Sequence, residues 1–364
     1  MIAPSFSSAA SARQRVDLVL IGARGRVGSA LRQRLADRQG ALDALLGLEL
    51  RLRAALDRRG LAECEEGLDP LRLDGQLGAR SEGDLERLCS RLRPATVLID
   101  CTACDEIAGH YPAWLAQGFA IAGANKHAGA RPLAFYRRLQ QQAGRRSWHY
   151  ETTVGAAIPV LGPLRDLRLR GEQVLGIRGL LSGSLSFVTA RLHEGAAFSE
   201  AVLEARALGY TEPNPLDDLS GQDIARKLLI LGREAGFELE PEHIDVAPLT
   251  GLPHRIGEQD TAALAQALCS EDAAWAQRLH AARAEGLRLV VVGEVGPHGG
   301  RVSLQALPAD DLLASARPRE NVVEIHTELQ QQPPLTLRGP GAGAEITAAG
   351  VFSDVLAAAR SLTR

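Results

Sequence analysis

Lysine is almost absent from this chain of 364 residues, which carries only Lys126 and Lys227 and otherwise uses arginine for positive charge. An ammonium gives up a proton far more readily than a guanidinium, so we expect these two lysines to be kept for chemistry. The basic residues are dispersed among the acidic ones without a basic tract, and the net charge is -3. This pattern argues against a nucleic-acid partner.

Cysteine is scarce too, and its five positions show no framework spacing. Cys101 and Cys104 form a C-x-x-C pair, but no second pair exists, so a metal or redox role is disfavoured and reduced thiols are expected. No apolar run approaches the roughly 18 residues of a membrane span. Residues 1–14 lack the apolar core of a secretory signal, so we expect a disordered tail on a cytoplasmic protein with no membrane partner.

The apolar run Val16–Ile21 is typical of a strand buried on both faces. Glycines follow it at once, and a helix is predicted from Ser29 to Leu46. Glycines let the backbone approach a pyrophosphate, and the helix N-terminus attracts its charge. The order strand, turn and helix therefore predicts a dinucleotide site, although the G-x-x-G-x-x-G spacing is one residue longer than usual. The turn residues expected to bind the cofactor are Gly22, Gly25, Arg26, Val27 and Gly28.

The next two predicted strands end at further cofactor-binding candidates. Strand 50–56 leads to Asp57, where a carboxylate commonly meets the ribose of NAD. Arg58 and Arg59 follow, and their guanidinium groups could instead hold the 2′-phosphate of NADP. Two cations beside one anion favour NADP or dual use of both cofactors. Strand 96–100 leads to Thr102, at the edge where a doubly wound sheet presents residues to its ligand.

Residues 209–227, GYTEPNPLDDLSGQDIARK, combine four carboxylates with one lysine. The prolines exclude a helix before Leu216, and the apolar pattern predicts one from Ser220 onward. Asp223 and Lys227, four residues apart, then share one helix face. The alternative interpretation is an ordinary N-cap at Ser220 followed by a solvated surface ion pair.

The string E-P-x-P-x-D-D-L-x-G-x-D-x-x-R-K, from Glu212 to Lys227, resembles the active-site segment of homoserine dehydrogenases. The likeness extends over residues 15–362 and is greatest to the homoserine dehydrogenase portion of bifunctional aspartokinase/homoserine dehydrogenases. It implies NAD(P)-dependent interconversion of L-aspartate 4-semialdehyde and L-homoserine, in threonine and methionine biosynthesis. In this chemistry Lys227 is the expected proton donor, Asp223 orients it, and Lys126 is the second candidate.

The resemblance implies ligands at further positions. The A-N-K sequence ending at Lys126 is expected beside the nicotinamide and the substrate. The expected substrate-binding residues are Tyr210, Glu212, Asp218, Gly183 and Ser184, the last being a threonine in most of the family. Two more cofactor contacts are expected at Gly343 and Glu345. A monovalent cation, sodium or potassium, is expected on carbonyl oxygens of Glu151, Val154, Ala156 and Ile158.

The order of elements and the resemblance together predict an α/β protein of two domains. A Rossmann-type doubly wound nucleotide-binding domain is expected to be discontinuous, comprising residues 15–150 and 335–364. Residues 151–334 are expected to form an α+β substrate-binding and dimerisation domain with an open sheet. Helices on one face of that sheet would leave Val290, Val292 and Val322 uncovered, which predicts a homo-oligomer, most simply a dimer.

Two other functions are weighed against this one. The sequence G-A-R-G-R-V-G also resembles dihydrodipicolinate reductases, another group of Rossmann reductases in the aspartate pathway, but that family lacks the Glu212 to Lys227 string. A non-catalytic dinucleotide-sensing subunit is the second alternative. The intact Glu212, Asp223 and Lys227 argue against it, because a silent descendant has little reason to keep all three.

Overall fold

The computed structural model describes residues 14–144, 148–253, 256 and 261–363, which form two compact units. The first unit contains residues 14–125, 139–144, 148–150 and 351–363. The second contains the described residues of 126–138 and 151–350. The expected tail, residues 1–14, lies outside the described residues except for Gln14.

The first unit is built on a largely parallel sheet. Its strands are β1 (Gln14–Ile21), β2 (Leu48–Leu56), β3 (Gly60–Glu63), β4 (Gly78–Ala79), β5 (Thr96–Asp100), β6 (Ala120–Gly123) and β7 (Trp148–His149). Its first helices are α1 (Arg26–Leu46), α2 (Asp84–Arg91), α3 (Asp105–Gly109) and α4 (Tyr111–Ala116). The strands lie in the order β4-β3-β2-β1-β5-β6-β7, with β1 parallel to both β2 and β5.

The sequence explains why β1 and β5 occupy the middle of this sheet. All five residues of β5 and the last six of β1 are buried, as expected of continuous apolar strands covered on both faces. From β1 the chain runs outward through β2, β3 and β4, and then returns to β5 on the other side of β1 and continues to β6. The strand order therefore reverses beside β1. The predicted Rossmann-type fold is confirmed, whereas the short antiparallel strands β3 and β4 were not expected.

The second unit contains a sheet with helices packed on it. Its helices are α5 (His127–Ala130), α6 (Leu133–Ala143), α7 (Thr152–Gly155), α8 (Leu161–Leu169), α9 (Gly183–Glu194), α10 (Phe198–Ala207), α11 (Pro215–Leu219), α12 (Gln222–Ala235), α13 (Thr261–Ala284) and α14 (Ala344–Leu362). The ends of α6 and α14 are counted with the first unit. Its strands are β8 (Val174–Leu180), β9 (Ile244–Val246), β10 (Leu287–Gly296), β11 (Gly299–Pro308), β12 (Glu320–Thr327) and β13 (Leu335–Pro340), in the order β13-β12-β8-β10-β11-β9.

The two faces of this second sheet are covered differently. Helix α12 lies on one face, where a Cβ placed on Gly293 would come 2.9 Å from Ile224. On the other face Val290, Val292 and Val322 are buried in one cluster with Leu313. The prediction that these valines form an uncovered apolar surface is wrong, because the chain between β11 and β12 folds over them.

The structure divides the chain at other points than the sequence suggests. Residues 335–340 form β13, which pairs antiparallel with β12, so residues 335–350 belong to the second unit. Residues 126–138 belong there too. The buried Arg233 of α12 donates hydrogen bonds to the carbonyl oxygens of Gly129 and Arg131, which fastens that segment to α12.

No helix within the described ranges is long and apolar enough to cross a membrane. The five cysteines, Cys101 and Cys104 among them, are free thiols in the structure. The cytoplasmic location stays a prediction from the sequence.

Two glycines of β8 provide a matched test of this packing. A Cβ on Gly179 would lie 2.3 Å from the backbone oxygen of Val322 in β12, whereas one on Gly176 would have its nearest neighbour at 3.5 Å. We expect Gly179→Ala to lower the free energy of unfolding by about 1–3 kcal/mol, because backbone cannot yield as a side chain does. Gly176→Ala should change it by about 0.5 kcal/mol or less. Equal urea denaturation curves for the two variants would contradict this packing.

Candidate active site

Asp223 lies between the two lysines of the chain. Its Oδ2 is 2.9 Å from Nζ of Lys227, and its Oδ1 is 3.3 Å from Nζ of Lys126. The predicted i, i+4 pair on α12 is therefore present, and the second lysine joins it from the segment before α5. One carboxylate thus holds two ammonium groups.

The start of α12 fixes where Asp223 points. Gly221 is the N-cap residue, with φ of 72°, a left-handed conformation that glycine adopts without steric cost. A Cβ there would lie 3.0 Å from Val246, so the space is tight as well. Ser220, the N-cap in the alternative interpretation, instead ends α11, and its hydroxyl donates to the carbonyl oxygen of Asp217. The helix begins two residues later than predicted, which places Asp223 in its first turn.

Lys227 is buried, and its Nζ also donates to the carbonyl oxygen of Leu181 at 2.6 Å. Burial lowers the pKa of Lys227, and the nearby charge of Lys126 lowers it further, while Asp223 opposes both effects. Burial acts against ionisation of Asp223, but the two ammonium groups outweigh it and hold the pKa of that carboxyl well below its usual range. The cluster is therefore a stable carboxylate beside an ammonium that releases its proton more readily than an ordinary lysine does.

Lys126 is placed by the packing of the next four residues against α12. A Cβ on Gly129 would lie 2.8 Å from Cγ1 of Ile230, so this close approach requires glycine. Arg233, one turn further along, hydrogen-bonds the backbone of the same segment. Ile230 and Arg233 therefore hold the backbone that carries Lys126, on the same helix that carries its ion-pair partner.

Asp218 forms hydrogen bonds with two other expected substrate-binding residues. Its Oδ1 accepts a hydrogen bond from Oγ of Ser184 at 2.6 Å, and its Oδ2 accepts one from the backbone N–H of Glu212 at 2.8 Å. Burial raises the pKa of Asp218 to about 6, and the charges of Glu212 and Asp223 act in the same direction. Asp217, the neighbouring carboxylate, is exposed.

Arg319 was missed by the sequence argument, yet it lies against three expected ligand-binding positions. Its guanidinium carbon is 4.2 Å from the ring centroid of Tyr210. A Cβ on Gly183 would lie 3.8 Å from its Cα, and one on Gly343 would lie 3.7 Å from a terminal nitrogen. Glu345, the other expected cofactor contact, is exposed in the first turn of α14.

The glycine turn of the first unit has the tight backbone that a dinucleotide site requires. A Cβ on Gly28 would lie 2.2 Å from the carbonyl oxygen of Gly22, and Gly22 itself has φ of 88°. A Cβ on Gly22 would also lie 3.1 Å from Thr102, so the turn closely approaches the end of β5. Arg26 and Val27 open α1, and its N-terminus adjoins this turn. The residues present therefore fit a bound pyrophosphate.

Asp57 is paired with Arg24, a turn residue that the sequence argument did not select. Nε and a terminal nitrogen of Arg24 lie 2.5 and 3.0 Å from its two carboxylate oxygens. This hydrogen bonding holds the pKa of Asp57 well below its usual range. Arg58 and Arg59 are exposed, and the backbone N–H of Arg59 also donates to Asp57. The cation beside the expected ribose carboxylate is therefore Arg24.

Asp100, at the end of β5, is fully buried and organises its neighbours. It accepts hydrogen bonds from the hydroxyl and backbone N–H of Thr102, from the hydroxyl of Tyr111 and from the amide of Asn125. Burial raises the pKa of Asp100 in spite of these donors. This network fixes Thr102 and also the residue that directly precedes Lys126. The sequence feature that could have identified Asp100 is a carboxylate at the end of a buried strand.

The expected cation loop has an unusual backbone. Ala156 has φ of 54°, and a Cβ on Gly350 would lie 2.2 Å from its carbonyl oxygen. The carboxylate of Glu151 accepts three backbone N–H groups from residues 160–162, at 2.5 to 2.7 Å, and so stabilises the start of α8. In the described part of the chain no group of three or more His, Cys, Asp or Glu residues is arranged to hold a metal ion. Any cation here would therefore depend on carbonyl oxygens, the donors that suit sodium or potassium.

Comparison with known proteins identifies relatives of this chain. The family model described as homoserine dehydrogenase matches residues 159–356, and the model described as its NAD-binding domain matches residues 24–151. The chain belongs to the homoserine dehydrogenase family. It is 37% identical over 349 residues to a bifunctional aspartokinase/homoserine dehydrogenase of Haemophilus influenzae, covering 94% of this chain but 42% of that protein.

Solved structures of homoserine dehydrogenases and of an uncharacterised protein share the fold. A Candida auris protein of unknown function matches with a TM-score of 0.83 and 34% identity, covering 95% of this chain and 98% of that one. A hyperthermophilic archaeal homoserine dehydrogenase mutant, solved in complex with NADPH, matches with a TM-score of 0.73 and 24% identity, covering 95% and 98%. The family membership inferred from the Glu212 to Lys227 string is confirmed.

The raised pKa of Asp218 predicts how pH affects stability. A carboxyl whose pKa is raised in the folded state stabilises that state below its unfolded pKa of about 4. That contribution is lost as pH rises through about 6, where Asp218 ionises. Replacing Asp218 with asparagine, whose amide can face Ser184 and whose oxygen can face Glu212, removes this loss.

We compare the free energy of unfolding of Asp218→Asn with that of the unmodified protein at each pH. The difference, variant minus unmodified, should increase as the pH rises from about 4 to about 6.5. Asp217→Asn, which changes the exposed neighbouring carboxylate, should show a flat difference over the same range. Urea denaturation at several pH values measures both. A constant difference for Asp218→Asn would contradict the burial of its charge.

Proposed function

We propose that this member of the homoserine dehydrogenase family interconverts L-aspartate 4-semialdehyde and L-homoserine with NAD(P). The observation that carries the proposal is the cluster in which Asp223 holds Lys126 and Lys227 while Asp218 and Ser184 lie on the neighbouring elements. An enzyme that reduces an amino-acid aldehyde needs a proton donor and carboxylates for an ammonium group. This cluster offers both.

The proton for the product oxygen comes from Lys227 in this proposal. A bound nicotinamide dinucleotide would supply the hydride for reduction and accept it in the reverse direction. Lys227 would donate its proton to the substrate oxygen as negative charge develops there, and would accept it in the oxidation direction. Its lowered pKa suits this exchange, and Asp223 and the carbonyl of Leu181 fix the position of Nζ. Lys126 would add a second positive charge beside the reacting oxygen.

The ammonium group of the substrate would bind the carboxylates of Glu212 and Asp218. Glu212 is exposed, while Asp218 is partly buried and held by Ser184. An ammonium brought beside Asp218 would lower its pKa again and favour the ionised form. The resemblance to the family supplies these roles, and the hydrogen bond between the Glu212 backbone and Asp218 supports them by keeping the two carboxylates as neighbours.

For the cofactor we propose use of both NADP and NAD. Arg24 neutralises Asp57, so a 2′-phosphate would meet less repulsion than an unpaired carboxylate would cause. The related archaeal homoserine dehydrogenase was solved with NADPH. With Arg24 turned outward, Asp57 would be available to the 2′-hydroxyl of NAD.

A monovalent cation on carbonyl oxygens of Glu151, Val154, Ala156 and Ile158 forms part of the proposal. Its support is the positive φ of Ala156, together with the hydrogen bonds that already engage the Glu151 carboxylate at the start of α8. Initial rates in sodium or potassium chloride, compared with tetramethylammonium chloride at equal ionic strength, test it. Equal rates in all three salts would contradict a role for a monovalent cation.

A homo-oligomer, most simply a dimer formed through the second unit, also stays a proposal. The valine face that first suggested it is covered by the chain's own Leu313 segment. A groove whose lining includes Arg178, Glu294 and His326 is another candidate surface. Sedimentation at micromolar concentration tests the proposal, and a monomer there would contradict it.

The activity is tested by following NADPH or NADH absorbance with L-aspartate 4-semialdehyde. We expect oxidation of both cofactors at rates typical of enzymes, about 1 to 10³ per second. No turnover of the semialdehyde, or of homoserine in reverse, with either cofactor would contradict the proposed function. Turnover of dihydrodipicolinate instead would favour the alternative reductase.

The roles of Lys227 and Glu212 predict opposite kinetic effects. Lys227→Ala should lower kcat by about 10²- to 10⁴-fold, the usual contribution of general acid catalysis. Glu212→Ala should chiefly raise KM for the amino acid, because it contacts the ground and transition states about equally. Arg226→Ala removes a neighbouring cation of α12 that is not paired with Asp223, and serves as the matched control. A near-normal kcat in Lys227→Ala, with a large loss in Lys126→Ala, would exchange the roles of the two lysines.

A further inference from the structure

Arg319 holds a strained backbone conformation at the start of β12. Its φ is 67°, and among the described residues only one other non-glycine residue, Ala156, has a positive φ. A side chain at such an angle is disfavoured, and such residues are found where the surrounding structure or a function requires them. Glycine would adopt this angle without cost, so the arginine side chain calls for an explanation.

The surroundings of Arg319 belong to the proposed substrate site. Its guanidinium carbon lies 4.2 Å from the ring centroid of Tyr210, within the range of a cation–π contact. Its carbonyl oxygen accepts a hydrogen bond from Gly341 at 3.2 Å, and a Cβ on Gly183 would lie 3.7 Å from that oxygen. Gly183 adjoins Ser184, the hydroxyl donor to Asp218.

The guanidinium of Arg319 is available to bind a negatively charged group of the substrate. Within the described ranges its guanidinium forms no salt bridge. Glu320, next in the chain, is engaged by two nitrogens of Arg338 at 2.8 Å. The two lysines share Asp223, and the carboxylates of Glu212 and Asp218 suit an ammonium.

We propose that Arg319 binds the carboxylate of the amino-acid substrate. The inference rests on the proposed function, in which Glu212 and Asp218 take the ammonium group of the same molecule. A guanidinium binds a carboxylate through two parallel hydrogen bonds, and the Tyr210 ring beneath it limits the orientations of its plane. Arg319 would then select amino acids over simple aldehydes, without contact with the reacting oxygen.

Arg319→Gly is the informative variant, because it removes the guanidinium and relieves the backbone angle. We expect KM for L-homoserine to rise by about 10- to 100-fold, as for loss of a charge-assisted pair, with kcat and the KM for NADP unchanged. L-homoserine amide lacks the carboxylate, so its KM should be nearly the same in the variant and the unmodified protein. Arg319→Lys should recover part of the loss for homoserine.

Arg317→Ala, which removes an exposed cation two residues earlier, is the control and should leave all constants unchanged. A rise in the KM for NADP with that for homoserine unchanged would overturn the proposal and assign the guanidinium to a cofactor phosphate. Equal losses for homoserine and its amide would overturn it in favour of a structural role. Unchanged constants in Arg319→Gly would overturn the proposed role of Arg319 and leave the proposed function standing. An unmodified protein that is inactive on homoserine would overturn both.

Discussion

The sharing of Asp223 by two ammonium groups is the constraint on which the rest of the candidate site depends. Two like charges this close would repel each other in the partly buried cluster, and the carboxylate between them makes their proximity possible. Lys227 is buried with a lowered pKa, so its ammonium releases a proton more readily than an ordinary lysine does. The chemistry in the proposed function follows from that arrangement.

Helix α12 brings the two lysines together, because it carries the charged pair and also the residues that pack on the segment of Lys126. Its first turns present Asp223 and Lys227, while Ile230 and Arg233 further along hold the segment that carries Lys126. The helix lies on the second sheet through Gly293, whose missing side chain lets Ile224 approach. A change at any of these contacts would therefore act on the distance between the two lysines as well as on stability.

Sequence reasoning predicted the elements with strong periodicity, and a long motif marked the candidate site residues. Continuous apolar strands such as β1 and β5 and the i, i+4 pair on α12 follow from local patterns. Helix α9 and strand β13 were missed, since a helix after S-G-S and a strand before a glycine-rich loop are decided by packing and pairing with distant residues. The ion pair of Arg24 with Asp57 and the left-handed backbone of Arg319 likewise depend on residues far apart in the chain, which no local pattern records.

The scarcity of lysine makes the pKa of Lys227 directly measurable. Protein labelled with ¹³C at lysine Cε should give one signal for each of its two lysines, and Lys126→Arg assigns them. We expect the Lys227 signal to titrate below the ordinary lysine pKa, and to titrate lower still in Asp223→Asn, because that variant removes the charge that favours the ammonium. A Lys227 signal that titrates at the ordinary value, or whose pKa is unchanged by Asp223→Asn, would contradict the account.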